Sequence, residues 1–207
     1  NPVIFAVGPF TGVYPFASKT IAMFKSPLTG DLGESHAGGR SAIAMKMAGY
    51  GAIVIKGKSD MPIYLVIKNR KVEFKNANTL GGMKSAFTVG DVIRANEDQP
   101  GMRTIMRIGQ AGEKMISYAS VVTETYRHFG RLGLGAVFGS KMLKGLMIAG
   151  KKNIEVPQRK DFINLYKEIY DKAVDSPVMK KYHDLGTAGN IKPLNLMGAL
   201  PTKNLKT

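Results

Sequence analysis

Residues 126–145 read YRHFGRLGLGAVFGSKMLKG. Arg127, His128 and Arg131 crowd the front of this stretch, and Gly130, Gly133, Gly135 and Gly139 follow closely. Bare backbone beside fixed positive charge suits phosphate, because glycine lets an anion approach backbone N–H groups. The same composition also suits a flexible crossing between two strands. A second spot, Ser35-His36-Ala37-Gly38-Gly39-Arg40, stands directly before a helix expected to begin near Arg40. The free N–H groups of a helix start attract anions, and Arg40 adds charge. A plain tight turn would use the same two glycines.

Other chemistry finds little support in the residue spacing. His36, His128 and His183 are scattered, with no paired spacing that would build a metal site from side chains. No Ser–His–Asp or Cys–His arrangement and no carboxylate dyad is evident. Gly133-x-Gly135-x-x-x-Gly139 imitates a dinucleotide fingerprint, but 142–149 returns to strand-like sequence too soon for the required helix and distant acid. Gly139-Ser140-Lys141 reverses the order that a P-loop needs. The chain shows no proton-transfer or nucleophile machinery of its own.

The elements that must position these spots follow from hydrophobic period and turn residues. Strands are expected at 3–7, 20–24, 52–55, 62–67, 71–75, 103–108, 115–122 and 145–149. The strands at 62–67 and 71–75 form a hairpin through Asn69-Arg70. Helices are expected at 40–49, ended by Gly49, and at 84–96, with Phe87, Val92 and Ile93 inward. Turns are expected at 109–112, and the glycine stretch reads as a loop. After Lys151-Lys152 the texture changes. An amphipathic helix is expected over 161–176, with further helix at 177–182 and irregular chain beyond. The fold class is therefore α+β: a β-rich domain over 1–152, then the start of a helical unit over 153–207.

The 207 residues carry 44% hydrophobic and 22% charged residues, ordinary values for a globular protein. A net charge of +15 is not ordinary and argues for an acidic or phosphorylated partner. The basic residues are dispersed, and no RRM, KH or helix-turn-helix pattern is present. No window is apolar enough to span a membrane, and no signal peptide opens the chain. With no cysteine there is no disulfide, Cys-bound zinc or Cys-ligated cluster within these residues, which fits a cytoplasmic home.

Taken in order, several motifs resemble one family. They are GPFTG at 8–12, KSPLTG at 25–30, AGG at 37–39, MAGYGAIVIKGK at 47–58, IGQAGE at 108–113 and GRLGLGAVFGSKMLK at 130–144. The chain resembles the N-terminal domain of the aldehyde:ferredoxin oxidoreductases, tungsten or molybdenum bis-pyranopterin enzymes, over nearly its whole length. The resemblance implies a domain of two β-sheets forming a base under the pterins, its first part preceding Asn1, with helical domains closing over it. It implies oxidation of aldehydes to carboxylic acids with ferredoxin as electron acceptor, in a homo-oligomer. It also implies that LPTKN at 200–204 stands just ahead of the cysteines that bind a [4Fe–4S] cluster. The family's pterin-binding positions fall here on Lys19, His36, Gly38, Arg127, His128, Gly130 and Arg131. The backbone carbonyls of His36 and His128 fall where the family holds a Mg²⁺ between pterin phosphates, a hard cation suited to oxygen ligands. The family more often has Asn at position 36, Ala at 128, Arg at 19 and Trp at 80, where this chain has Leu80. Lys at 19 keeps the charge but loses bidentate phosphate geometry. The competing expectation is a non-catalytic phosphate- or nucleic-acid-binding module, or a scaffold subunit that pairs with a separate cluster-bearing chain.

Overall fold

A computed structural model describes residues 1–98 and 101–203; Asn204, the last residue of the 200–204 motif, lies outside them. The chain divides into two compact units, Asn1–Glu155 and Val156 onward.

The first unit is built on two sheets. One is antiparallel, in the order β3-β2-β1-β4, from β1 (Val3–Val7), β2 (Thr20–Lys25), β3 (Leu32–Ala37) and β4 (Ala52–Ile55). The other is mixed, in the order β6-β5-β10-β7-β8-β9. Its strands are β5 (Ile63–Lys68), β6 (Lys71–Asn76), β7 (Met102–Arg107), β8 (Val121–Val122), β9 (His128–Phe129) and β10 (Leu143–Gly150). Alternation along β1 sends Val3 and Phe5 into the space between the sheets, where Phe24, Phe129, Phe138, Leu146 and Ile148 join them. Phe5 makes edge contacts with Phe129 and Phe138, with ring centroids 5.5 and 6.1 Å apart. Each such buried ring contributes roughly 1.5–3 kcal/mol from burial alone. On the far side of the six-stranded sheet a second core gathers Tyr64, Val66, Ile105 and Met147 beneath Val89 and Ile93 of α2 (Ala86–Asn96). Every residue of β10 is buried because the strand is central and covered on both faces.

The two-sheet α+β architecture agrees with the sequence-based expectation. Five local differences stand out. β3 carries only Gly33, Ser35 and Ala37 on its buried face, so no large apolar residue announces it. The expected strand over 115–122 shrinks to Val121–Val122, and the expected turn at 109–112 holds a short helix, α3 (Gln110–Glu113). The glycine stretch contains α4 (Leu134–Ser140), whose Leu134, Val137 and Phe138 enter the core. Phe87 is 42% exposed rather than inward, lying against the Arg107 guanidinium and the Tyr126 ring.

The second unit consists of α5 (Arg159–Val174), α6 (Pro177–Leu185), a 3₁₀ turn over Gly186–Asn190 and α7 (Ile191–Leu196). Ser176 caps α6 by accepting from the Met179 N–H at 3.2 Å, with Pro177 at the first helical position. Residues 183–196 are thus helical rather than irregular, and 197–203 are irregular as expected.

Candidate cofactor-binding site

α1 (Arg40–Ala48) starts where β3 ends. Gly39 at φ 92°, ψ −146° makes the corner, a conformation open only to glycine. No side chain caps this helix start and its first turn carries no acid, so its leading N–H groups are available to an anion. Arg40 and His36 are exposed here. Ala37 pairs with Thr20, so Lys19, just ahead of β2 and exposed, stands beside the Gly38 corner. Thr20 and Ser41 share a buried 2.8 Å hydrogen bond that ties the first turn of α1 to β2.

The second segment lies on β9, the edge strand of the other sheet. Val122 faces His128 and Val121 faces Phe129. The Thr123 N–H donates to the Arg127 carbonyl at 2.7 Å. Antiparallel ladders alternate bonded and non-bonded pairs, so the N–H and C=O of His128 turn away from β8. Phe129 is fully buried against Phe5, whereas Arg127, His128, Gly130 and Arg131 are exposed. Leu132 and Gly133 then take left-handed conformations, φ 62° and 80°.

The two segments meet. The Arg131 N–H donates to Ser35 Oγ at 3.2 Å, and the Ser26 hydroxyl donates to the Leu132 carbonyl at 2.8 Å. Among the described residues Lys19, Arg40, Arg127 and Arg131 have no ion-pair partner, while His36 is paired with Glu34. All seven residues singled out from the sequence therefore belong to the β2–β3–α1 corner or to the β9 segment. The sequence marked Ser35 only as the start of the second spot and did not single out Thr20, Ser26 and Ser41, whose hydroxyls bear no signal in a single sequence.

A Cβ added at each glycine separates two kinds. At Gly133 it would stand 1.9 Å from the Ser117 carbonyl oxygen, at Gly135 2.6 Å from that of Ser120, and at Gly139 1.9 Å from that of Gly112. These three let α4 and the turn before it press against α3 and the loop after it, which is a packing role. At Gly38 and Gly130 a Cβ would meet nothing within 4 Å, and neither residue has a left-handed φ. Among the described residues nothing requires glycine there. Both open onto the basic corner, where the bare backbone leaves room for a flat or phosphorylated group.

Among the described residues no cluster of three or more His, Asp or Glu side chains could hold a metal ion. A cation here would need backbone oxygens, which edge strands such as β3 and β9 leave partly unpaired.

The buried charges elsewhere hold the fold. Arg107 donates to the carbonyls of Ala86, Ile105 and Thr123, and burial pushes its guanidinium pKa down. Lys144, 3% exposed, pairs with Glu113, which also accepts from the Gly82 N–H. Burial, aided by a 2.9 Å hydrogen bond to Glu97, raises the Tyr64 hydroxyl to about 12. Burial lowers Lys141, whose Nζ donates to the Gly57 carbonyl.

The family described as aldehyde ferredoxin oxidoreductase, N-terminal domain, matches residues 1–150. The tungsten-containing aldehyde ferredoxin oxidoreductase of Pyrococcus abyssi is 36% identical over 214 residues, covering all of this chain and 34% of that protein. Its namesake in Pyrococcus horikoshii is 35% identical with the same coverage. Among solved structures, the active site complex BamBC of benzoyl coenzyme A reductase with 1,5-dienoyl-CoA superposes with a TM-score of 0.78. It is 35% identical, over 84% of this chain and 26% of that one. The chain thus spans about a third of the length of the curated relatives it matches.

Proposed function

The chain belongs to the aldehyde ferredoxin oxidoreductase family, and we propose that it forms the cofactor base of a tungsten bis-pterin enzyme that oxidises aldehydes to carboxylic acids. Lys19, Arg127 and Arg131 hold the pterin phosphates together with the leading N–H groups of α1, each anion gaining charge-assisted hydrogen bonds. Gly38 and Gly130 keep both walls low enough for the cofactor to lie against backbone. The carbonyls of His36 and His128 would offer hard oxygen ligands to a Mg²⁺, whatever their side chains do. When bound, the metal–pterin group supplies the two-electron redox chemistry, and the protein supplies orientation and electrostatics. On this reading a [4Fe–4S] cluster held outside these residues would supply the electron route to ferredoxin, in a cytoplasmic homo-oligomer. Among the described residues no helix is long and apolar enough to cross a membrane.

The observation that carries this reading is that Gly38 and Gly130, whose Cβ positions are open among the described residues, both lie on a corner of unpaired cations. The test uses the complete protein purified from cells supplied with tungstate. Tungsten and pterin are expected in stoichiometric amounts. Arg131→Ala is expected to retain markedly less of both than Lys152→Ala, an exposed lysine outside the corner. A well-folded wild type with neither tungsten nor molybdenum, or equal content in the two variants, refutes the assignment.

A further inference from the structure

Lys19, His36, Arg40 and Arg131 each have a buried hydroxyl next to them in the chain or bonded to their own backbone. Thr20 follows Lys19, Ser35 precedes His36, Ser41 follows Arg40, and Ser35 and Ser26 grip the backbone of Arg131-Leu132. All four hydroxyl residues are at most 1% exposed. A buried hydroxyl is costly unless hydrogen-bonded, and each of these is bonded. Apolar side chains of similar size would fill the same space without that requirement.

The bonds fall at a strained point. Leu132 at φ 62° is a non-glycine residue in the left-handed region, a conformation held only where the surroundings enforce it. Ser35 on β3 takes the N–H just before this residue's own unit, from Arg131. Ser26, just after β2, donates to the carbonyl of Leu132 itself. Ser26 is fixed in turn by accepting from the N–H groups of Leu28 at 3.1 Å and Thr29 at 3.3 Å. The four-stranded sheet thus clamps a turn whose chain belongs to the six-stranded sheet. A long Arg131 side chain magnifies any rotation of its backbone at its guanidinium tip, so the clamp fixes where that charge stands.

We propose that Ser26 and Ser35, with the Thr20–Ser41 pair, are positioning residues that lock the two basic segments into one preorganised phosphate-binding surface. This rests on the cofactor-base reading above. Preorganisation lowers the ordering cost of binding, so its loss emerges as faster release of the ligand.

The experiment compares Ser35→Ala, Ser26→Ala, Ser26→Thr and Thr104→Val in the complete protein from tungstate-supplied cells. Thr104 is the control, a fully buried threonine on β7 whose hydroxyl has no hydrogen-bond partner. Tungsten remaining per chain is followed during dialysis, alongside the thermal unfolding midpoint. Ser35→Ala and Ser26→Ala are expected to lose tungsten about fivefold faster than wild type, the effect of one net hydrogen bond. Ser26→Thr keeps a hydroxyl able to make the same turn and is expected to restore wild-type retention. Thr104→Val is expected to match wild type. Wild-type loss rates in the two alanine variants overturn the proposal, as does a Ser26→Thr variant as leaky as Ser26→Ala. So do alanine variants that lower the midpoint or fail to accumulate without faster tungsten loss in any folded fraction. A folded wild type that never held tungsten removes the cofactor-base reading, and the proposal with it.

Discussion

Replacing Gly130 by alanine separates the needs of the fold from those of the ligand. An alanine Cβ at this position meets no atom within 4 Å, and the backbone is not left-handed. The folded chain therefore accepts the methyl group without strain, while the unfolded chain loses conformational freedom. Substitutions of this kind stabilise by about 0.4–1 kcal/mol. For a unit of this size that raises the unfolding midpoint by roughly 1–4 °C. The ligand experiences the opposite, because the methyl group occupies the open space on the basic corner. Gly130→Ala in the complete protein is thus expected to melt slightly higher without cofactor and to hold markedly less tungsten and pterin. Gly139→Ala supplies the contrast. Its Cβ would fall 1.9 Å from the Gly112 carbonyl oxygen, so backbone must move and about 1–3 kcal/mol or more is lost. The assay pairs differential scanning calorimetry of protein from tungstate-free cells with metal analysis of protein from supplied cells. A Gly130→Ala protein that loads tungsten like wild type, or one that melts several degrees lower, refutes the division of the glycines into two kinds.

Two further outcomes concern the buried charges. The Tyr64 hydroxyl is raised from 10.0 to about 12, so the folded state keeps a proton that the unfolded state releases first. That stabilisation is complete below pH 10 and declines as pH rises from 10 towards 12, by roughly 2–3 kcal/mol. Tyr64→Phe is expected to flatten this alkaline decline in urea titrations at stepped pH. Glu113→Ala leaves the buried Lys144 ammonium without its partner and is expected to cost about 3–5 kcal/mol. Adding Lys144→Met is expected to recover much of that loss, and additive costs in the double-mutant cycle would exclude the pairing.

The sheets built on large apolar residues were legible from sequence. Val3, Phe5, Leu146 and Ile148 alternate or run together as core strands do, and Asn69-Arg70 marked its hairpin. β3 was not legible because its inward residues are Gly33, Ser35 and Ala37. A Cβ on Gly33 would sit 3.1 Å from the Phe24 ring, so the partner strand supplies the bulk that β3 lacks. α4 was hidden for a related reason. Gly135 and Gly139 weaken helix propensity, yet the backbone of α3 and of the loop after it lies where side chains would stand. The site residues came from the ordered motifs rather than from spacing, since spacing left the glycine run and the Gly38-Gly39 corner each open to two meanings. The structure divides that run at Gly130: the basic front faces outward and the glycines beyond it serve packing. The hydroxyls beneath the corner were illegible because a buried serine and an exposed one read alike.

The position of β10 sets the order in which this domain can be completed. β5 pairs with it in parallel and β7 pairs with it antiparallel, so it alone joins the β5–β6 hairpin to β7, β8 and β9. It is also the last strand of the unit to leave the ribosome. Until residue 150 has emerged, the six-stranded sheet exists as two halves with an apolar gap between them, and Tyr64, Val66 and Ile105 lack the neighbour that buries them. Parallel pairing across so long a separation is slow and leaves unpaired edges open to aggregation meanwhile. The two basic segments therefore gain a rigid frame only when β10 closes the gap.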